Sequence, residues 1–127
     1  MYYLVDSDKS FEQAAADLDV AVKANGFGVL YVHDLGNTFR TKGIDFAEEC
    51  RVFEICNPNI ASKVLAIDLR LNMALPCRIS IYTEKGKTKI GLIKPTGILS
   101  ALSQEQALVE IGQGVEATLI KMVDEAK

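Results

Sequence analysis

The apolar positions of the chain change their spacing several times, and each change marks an element. Tyr2 to Val5 is a short β-favouring run closed by the polar Asp6-Ser7-Asp8-Lys9, which predicts an opening strand. From Ser10 the spacing turns helical. Phe11, Ala14, Ala15, Leu18 and Val22 share one face, Ser10 and Gln13 form a capping-box pattern, and Asn25-Gly26 supplies the stop. Phe27 to Val32 is aromatic and β-branched and predicts a second strand, with His33-Asp34 at its polar end and an exit loop from Asp34 to Gly43. Asp45 to Glu49 reads as a short helical turn. Arg51 to Cys56 follows as a strand ended by Asn57-Pro58.

Pro58 suits the first turn of a helix, which Ile60, Ala61, Val64 and Leu65 carry to about Ala66. Met73 to Leu75 leads into Pro76. Cys77 to Thr83 and Thr88 to Ile93 then flank Glu84-Lys85-Gly86-Lys87, a β-hairpin signal. Pro95 closes the second of these strands, and Thr96 to Ser103 reads as a loop or short turn. Leu108, Ile111, Val115, Leu119 and Met122 mark one face of a final helix of about five turns. Gly112 and Gly114 interrupt that helix. Each costs about 1 kcal/mol against Ala, so either the backbone approaches a neighbour there or the helix bends.

The predicted order is strand, helix, strand, strand, short helix, strand, strand, helix. The hairpin is the one tight strand-to-strand link, and the helices are too few to cover both faces of a parallel sheet. An α+β two-layer sandwich follows: a mainly antiparallel sheet with helices packed on one face. At 127 residues the chain fits a single domain, residues 1–127, without repeat, low-complexity tract or linker. Its 49% hydrophobic and 24% charged residues are a globular composition.

A net charge of -3 gives no general pull toward phosphate backbones or anionic membranes, so nucleic acid is not expected as a partner. The opening residues Met1 to Asp6 lack a basic region followed by a long apolar run, so neither a signal peptide nor a membrane span is expected and the cytoplasm is the default location. Cys50, Cys56 and Cys77 are an odd number without a CxxC pair, which points to reduced thiols. With a single His33, a zinc site would need every Cys and that His together.

The paired elements Cys56-Asn57-Pro58 and Leu75-Pro76-Cys77, joined by a short helix and followed by a Lys-Gly hairpin, resemble the family called domain of unknown function three hundred and two. The similarity runs almost end to end. It takes in Gly26-Phe27-Gly28-Val29-Leu30, His33-Asp34-Leu35 and Lys42-Gly43-Ile44-Asp45-Phe46. The resemblance implies a TATA-binding-protein-like α+β arrangement, often dimeric, with no settled activity. Fold alone does not imply DNA binding.

Cys56 ends one strand and Cys77 begins another, each beside a proline, so both thiols can sit at one edge of the sheet. If they meet, they can form a reversible disulfide, bind a soft metal, or act as attacking and resolving thiols. The competing reading makes both small buried hydrophobes, since Cys77 shares strand parity with Ile79 and Ile81. Cys50 lies about 20 Å along the strand from Cys56 and is a bystander. His33 beside Asp34 has the makings of a carboxylate-oriented imidazole, although a lone His at a turn is more often a surface residue. Glu54, with Glu48 and Glu49, can place a carboxylate near a thiol but reads more simply as solvated surface. Arg78 adjoins Cys77, yet consecutive strand residues point to opposite faces. Lys85, Lys87 and Lys89 alternate along the hairpin and read as charge protecting a sheet edge. Gly26-Phe27-Gly28 and Gly112-Gln113-Gly114 match no nucleotide-binding spacing.

The expectation is therefore a small dimeric binding or sensing module with a modest apolar site near Cys56, Cys77, Asn57, Pro58 and Pro76, and with His33, Asp34 and Glu54 as accessory candidates. An open sheet with one uncovered face calls for burial against a second copy. The alternative from another class is a thiol-dependent redox protein or enzyme using Cys56 and Cys77. Nucleic-acid binding by fold analogy ranks third. No cofactor is identifiable.

Overall fold

Five strands and five α-helices make up the computed structural model, which describes residues 1–127. In chain order they are β1 (Tyr2–Ser7), α1 (Phe11–Ala24), β2 (Gly28–Asp34), α2 (Leu35–Thr41), β3 (Cys50–Cys56), α3 (Pro58–Ile67), β4 (Cys77–Glu84), β5 (Lys87–Ile93), α4 (Pro95–Leu102) and α5 (Gln106–Ala126). A 3₁₀ segment, Leu69–Ala74, follows α3. The strands form one sheet in the order β1-β5-β4-β3-β2, antiparallel at every junction. This is the α+β arrangement that the hydrophobic periods imply.

Local chemistry accounts for most boundaries. Ser10 caps α1 by accepting the Gln13 backbone N–H at 3.1 Å, and Gly26 follows the helix at φ +80. The β4–β5 turn places Lys85 at φ 52 and Gly86 at φ 80, the two left-handed residues that a tight hairpin of this twist requires. Pro58 opens α3 with Asn57 as its cap.

Four expectations are corrected. The segment from Asp34 to Gly43 is not a loop: Asp34 accepts the Asn37 N–H at 2.9 Å and so starts α2, and β2 runs on through His33 and Asp34. Asp45 to Glu49 is not helical. It lies against the end of β4, where the Thr83 hydroxyl donates to the Glu48 carboxylate at 2.8 Å and accepts the Glu49 N–H at 2.9 Å. Thr96 to Ser103 is mostly the helix α4, with Pro95 in its first turn. The lysine hairpin does not protect an edge, because β5 lies inside the sheet between β1 and β4. Lys87 and Lys89 instead pair with Asp8 and Asp6 at 3.2 Å each.

The helix-facing side of the sheet is built from alternate residues in register: Val5 opposite Ile90, Ile90 opposite Ile81, and Phe53 opposite Ile79. With Leu18 and Val22 of α1 and Leu119 and Met122 of α5 they form the main core. Each fully buried Ile or Leu there contributes roughly 1.5–3 kcal/mol, so this face decides the register. α5 is continuous over its 21 residues. A Cβ on Gly112 would lie 3.4 Å from Leu99 Cδ1 and 3.7 Å from Thr96 Cγ2, so Gly112 lets α5 approach α4 closely. Gly114 meets nothing within 4 Å. The other face of the sheet carries Tyr2, Leu4, Tyr31, Val52, Tyr82 and Ile93 among charged residues, and its outer apolar positions are exposed, Tyr2 by 64% and Ile93 by 51%.

Candidate functional site

Two hydrophobic clusters share the interior. The main core lies between the sheet and helices α1 and α5, and a smaller cluster of Val64, Leu71, Leu99 and Leu108 joins α3, the 3₁₀ segment, α4 and α5. Ile60 and Ile111 touch both. The clusters do not merge, because a cavity of about 310 Å³ lies at their junction. Of its 22 lining residues 17 are hydrophobic, among them Ile60, Val64, Leu99, Ile111 and Val115. The volume falls at the lower end of the range of small-molecule sites, and the lining is apolar as theirs is.

Strand pairing explains how residues of both sheet faces come to line the cavity. β3 and β4 stay paired to Ile55 opposite Cys77, and β1 and β5 stay paired to Tyr2 opposite Ile93. The β4–β5 ladder stops earlier, at Ser80 opposite Gly91. Beyond that pair the sheet forks. The start of β4 goes with β3, while the end of β5 goes with β1, where the Lys94 N–H donates to the Met1 carbonyl at 2.9 Å. Residues of both sheet faces consequently line one cavity: Ile55, Cys77 and Leu92 with helix-side parity, and Val52, Arg78, Ser80 and Ile93 with open-side parity.

Cys56 and Cys77 both line this cavity, so the topology brings the two expected thiols to one place. No disulfide joins any two of the three cysteines. Burial pushes the Cys77 thiol up to about 11, and the neighbouring Cys56 adds to the rise. That direction opposes the thiolate character of an attacking cysteine. Cys50 sits at the far end of β3, opposite Tyr82, and its thiol is also raised, by burial and then by the Asp34 charge.

The remaining candidates separate into distinct roles. Asn57 lines the cavity and caps α3, its Oδ1 accepting the Asn59 and Ile60 N–H groups at 3.1 and 3.3 Å while its Nδ2 donates to the Gly26 carbonyl at 3.2 Å. Pro76, after a cis peptide bond, lines the cavity, whereas Pro58 does not and serves as the helix start. His33 does meet a carboxylate, but it is Glu54, not Asp34: His33 Nε2 and Glu54 Oε1 are in direct hydrogen-bond contact on the open face. The Tyr31 ring packs edge-on against His33 with centroids 4.7 Å apart. Asp34 lies on the helix side, where the Asn37 N–H first and the Arg51 guanidinium second hold its carboxyl below the usual range. Neither His33 nor Glu54 lines the cavity.

Sequence reasoning sets Arg78 aside on strand parity, yet the fork lets it line the same cavity as Cys77. It also leaves out the walls from α4 and α5, Ile98, Leu99, Ile111 and Val115. The signal for α4 was present in Pro95 at a helix start followed by Ile98, Leu99 and Leu102 at helical spacing. No group of three or more His, Cys, Asp or Glu side chains is arranged to hold a metal ion, and no helix is long and apolar enough to cross a membrane.

Comparison with known proteins places this architecture. The chain matches the family described as domain of unknown function DUF302 over residues 3–126. It is also similar to the crystal structure of an uncharacterized conserved DUF302 protein from Bacillus stearothermophilus, with a TM-score of 0.93 and 33% identity over 99% of this chain and 98% of that one. No curated protein matches the chain. With the family pattern spanning nearly every residue and a solved relative of the same fold at one-third identity, the chain belongs to the DUF302 family.

Proposed function

We propose that this protein is a small binding module whose ligand occupies the cavity between the two hydrophobic clusters, beside Cys56 and Cys77. The observation that carries the reading is the cavity itself, about 310 Å³ with 17 hydrophobic residues among 22, lined at the sheet fork by residues of both sheet faces. An apolar cavity of this size forgoes packing in proportion to its volume, a cost that a bound ligand would recover. The raised Cys77 thiol favours this reading over a thiol-dependent enzyme, which would need a depressed one.

The test is a titration of 1-octanol followed by methyl NMR. Saturable shifts are expected at Ile60, Ile98, Ile111 and Val115, with the methyls of Ile81 and Ile90 unmoved. Shifts spread evenly over all surface methyls, or none at all, would remove the cavity as the binding site.

The open sheet face supports a second part of the proposal, that the module is a homodimer. Away from the fork, that face mixes apolar side chains, the exposed Leu4 and the half-buried Tyr82, with both signs of charge, Asp6 and Lys89. A sheet face with apolar side chains exposed and its charges internally paired is one that a second copy of the chain can cover.

A further inference from the structure

We infer that the cavity ligand carries a carboxylate held by Arg78, with its apolar body inside. The inference rests on the cavity reading above and names the chemical class that the site would take.

Arg78 is the one charged residue lining the cavity. It is also the one arginine of four that has no acidic partner: Arg40 pairs with Glu49 at 2.6 Å, Arg51 with Glu12 at 2.7 Å, and Arg70 with Asp68 at 2.6 Å. A partner stands close by, since Glu54 is directly opposite Arg78 in the β3–β4 register. Glu54 is committed to His33 instead, which leaves the guanidinium free at the fork. The rest of the wall sorts by depth. The helix-side surface from Ile60, Val64, Leu99 and Ile111 is wholly apolar, while Asn57 and Ser80 add neutral polar atoms.

A ligand that satisfies both parts has one planar anionic end and a hydrocarbon body. The guanidinium fork matches a carboxylate through two parallel N–H donors, a geometry that a hydroxyl head cannot use. At about 30 Å³ per heavy atom the cavity holds about ten of them, the size of a medium-chain fatty acid or a small aromatic acid. Binding would keep the charge near solvent at the fork and bury only the chain, which avoids the desolvation cost of a fully enclosed ion.

The experiment compares octanoate with 1-octanol, the same chain with and without the charge, by calorimetry on the wild type and on Arg78→Leu. Octanoate is expected to bind the wild type about tenfold or more tightly than octanol, although its charge makes it the poorer ligand for a plain apolar hole. In Arg78→Leu that preference disappears while octanol affinity stays within about twofold, which also shows that the variant is folded and its cavity intact. Octanol binding as well as octanoate in the wild type would overturn the carboxylate inference and leave the cavity reading standing. An octanoate preference that survives in Arg78→Leu would overturn the role of Arg78. Binding of neither would overturn both readings.

Discussion

Cys77 shows how a residue's setting decides its chemistry. Its thiol rises from the ordinary 9.0 to about 11 because ionisation would place a charge in the cavity wall beside Cys56. At neutral pH about a hundredfold less thiolate is then present than in an ordinary cysteine, so timed iodoacetamide labelling should modify Cys77 on that scale more slowly in the folded protein than in urea. Equal rates would disprove it. The same shift predicts a pH dependence of stability. Below pH 9 the thiol is neutral in both states and contributes no difference. Between 9.0 and about 11 the unfolded chain releases the proton while the folded one keeps it, so stability falls, by on the order of 2 kcal/mol across the window. Tyr3 and Lys89 are also raised, so the comparison at each pH is with Cys77→Ala, which loses this part of the slope. The meeting of Cys56 and Cys77 was legible from their prolines and strand ends. The His33 partner was not, because adjacency suggested Asp34 while the pleat sends neighbours to opposite faces, and the carboxylate in reach comes from the next strand.

Among the elements, the hairpin and the two long helices were readable because turn chemistry and period agree over many residues. α2 and α4 were missed for a shared reason: each is short, of 7 and 8 residues, and carries a glycine, Gly36 or Gly97, so its start signal was outweighed. The early end of the β4–β5 ladder leaves no mark in composition, since strand ends differ from strand middles only in what lies beside them. α5 separates two glycines that look equivalent in sequence. Gly114→Ala should stabilise by up to about 1 kcal/mol, since nothing lies within 4 Å of the new methyl and the helix gains propensity. Gly112→Ala should gain less, because its methyl meets Leu99, and Gly112→Val should lose stability outright. Thermal melts of the three variants rank them, and a Gly112→Val protein as stable as Gly114→Ala would mean that α4 and α5 are not in close contact there.

For the whole molecule, the expected solution state is a dimer through the open face of the sheet. Tyr82→Glu puts a charge in the central strand of that face without touching the cavity wall. It should convert the dimer to a monomer by light scattering while octanol binding persists. A wild type that is monomeric at high concentration would end the dimer proposal and leave the ligand site unaffected. Fold class was legible at this scale from the order of elements alone; an apolar site near Cys56 and Cys77 was also expected, whereas its walls from α4 and α5 were not, being a property of how two packed clusters fail to join. The fork gives the sheet two unequal ends. One is clamped by a two-residue turn, with Glu84 opposite Lys87, and the other has lost a ladder between strands that each keep a different neighbour. Widening that second end would need no unpairing of β4 from β3 or of β5 from β1, which makes it the expected site of local opening. For the proposed ligand the expected route of exchange is this seam, so that its on- and off-rates follow local opening of a few peptide groups rather than unfolding of the sheet.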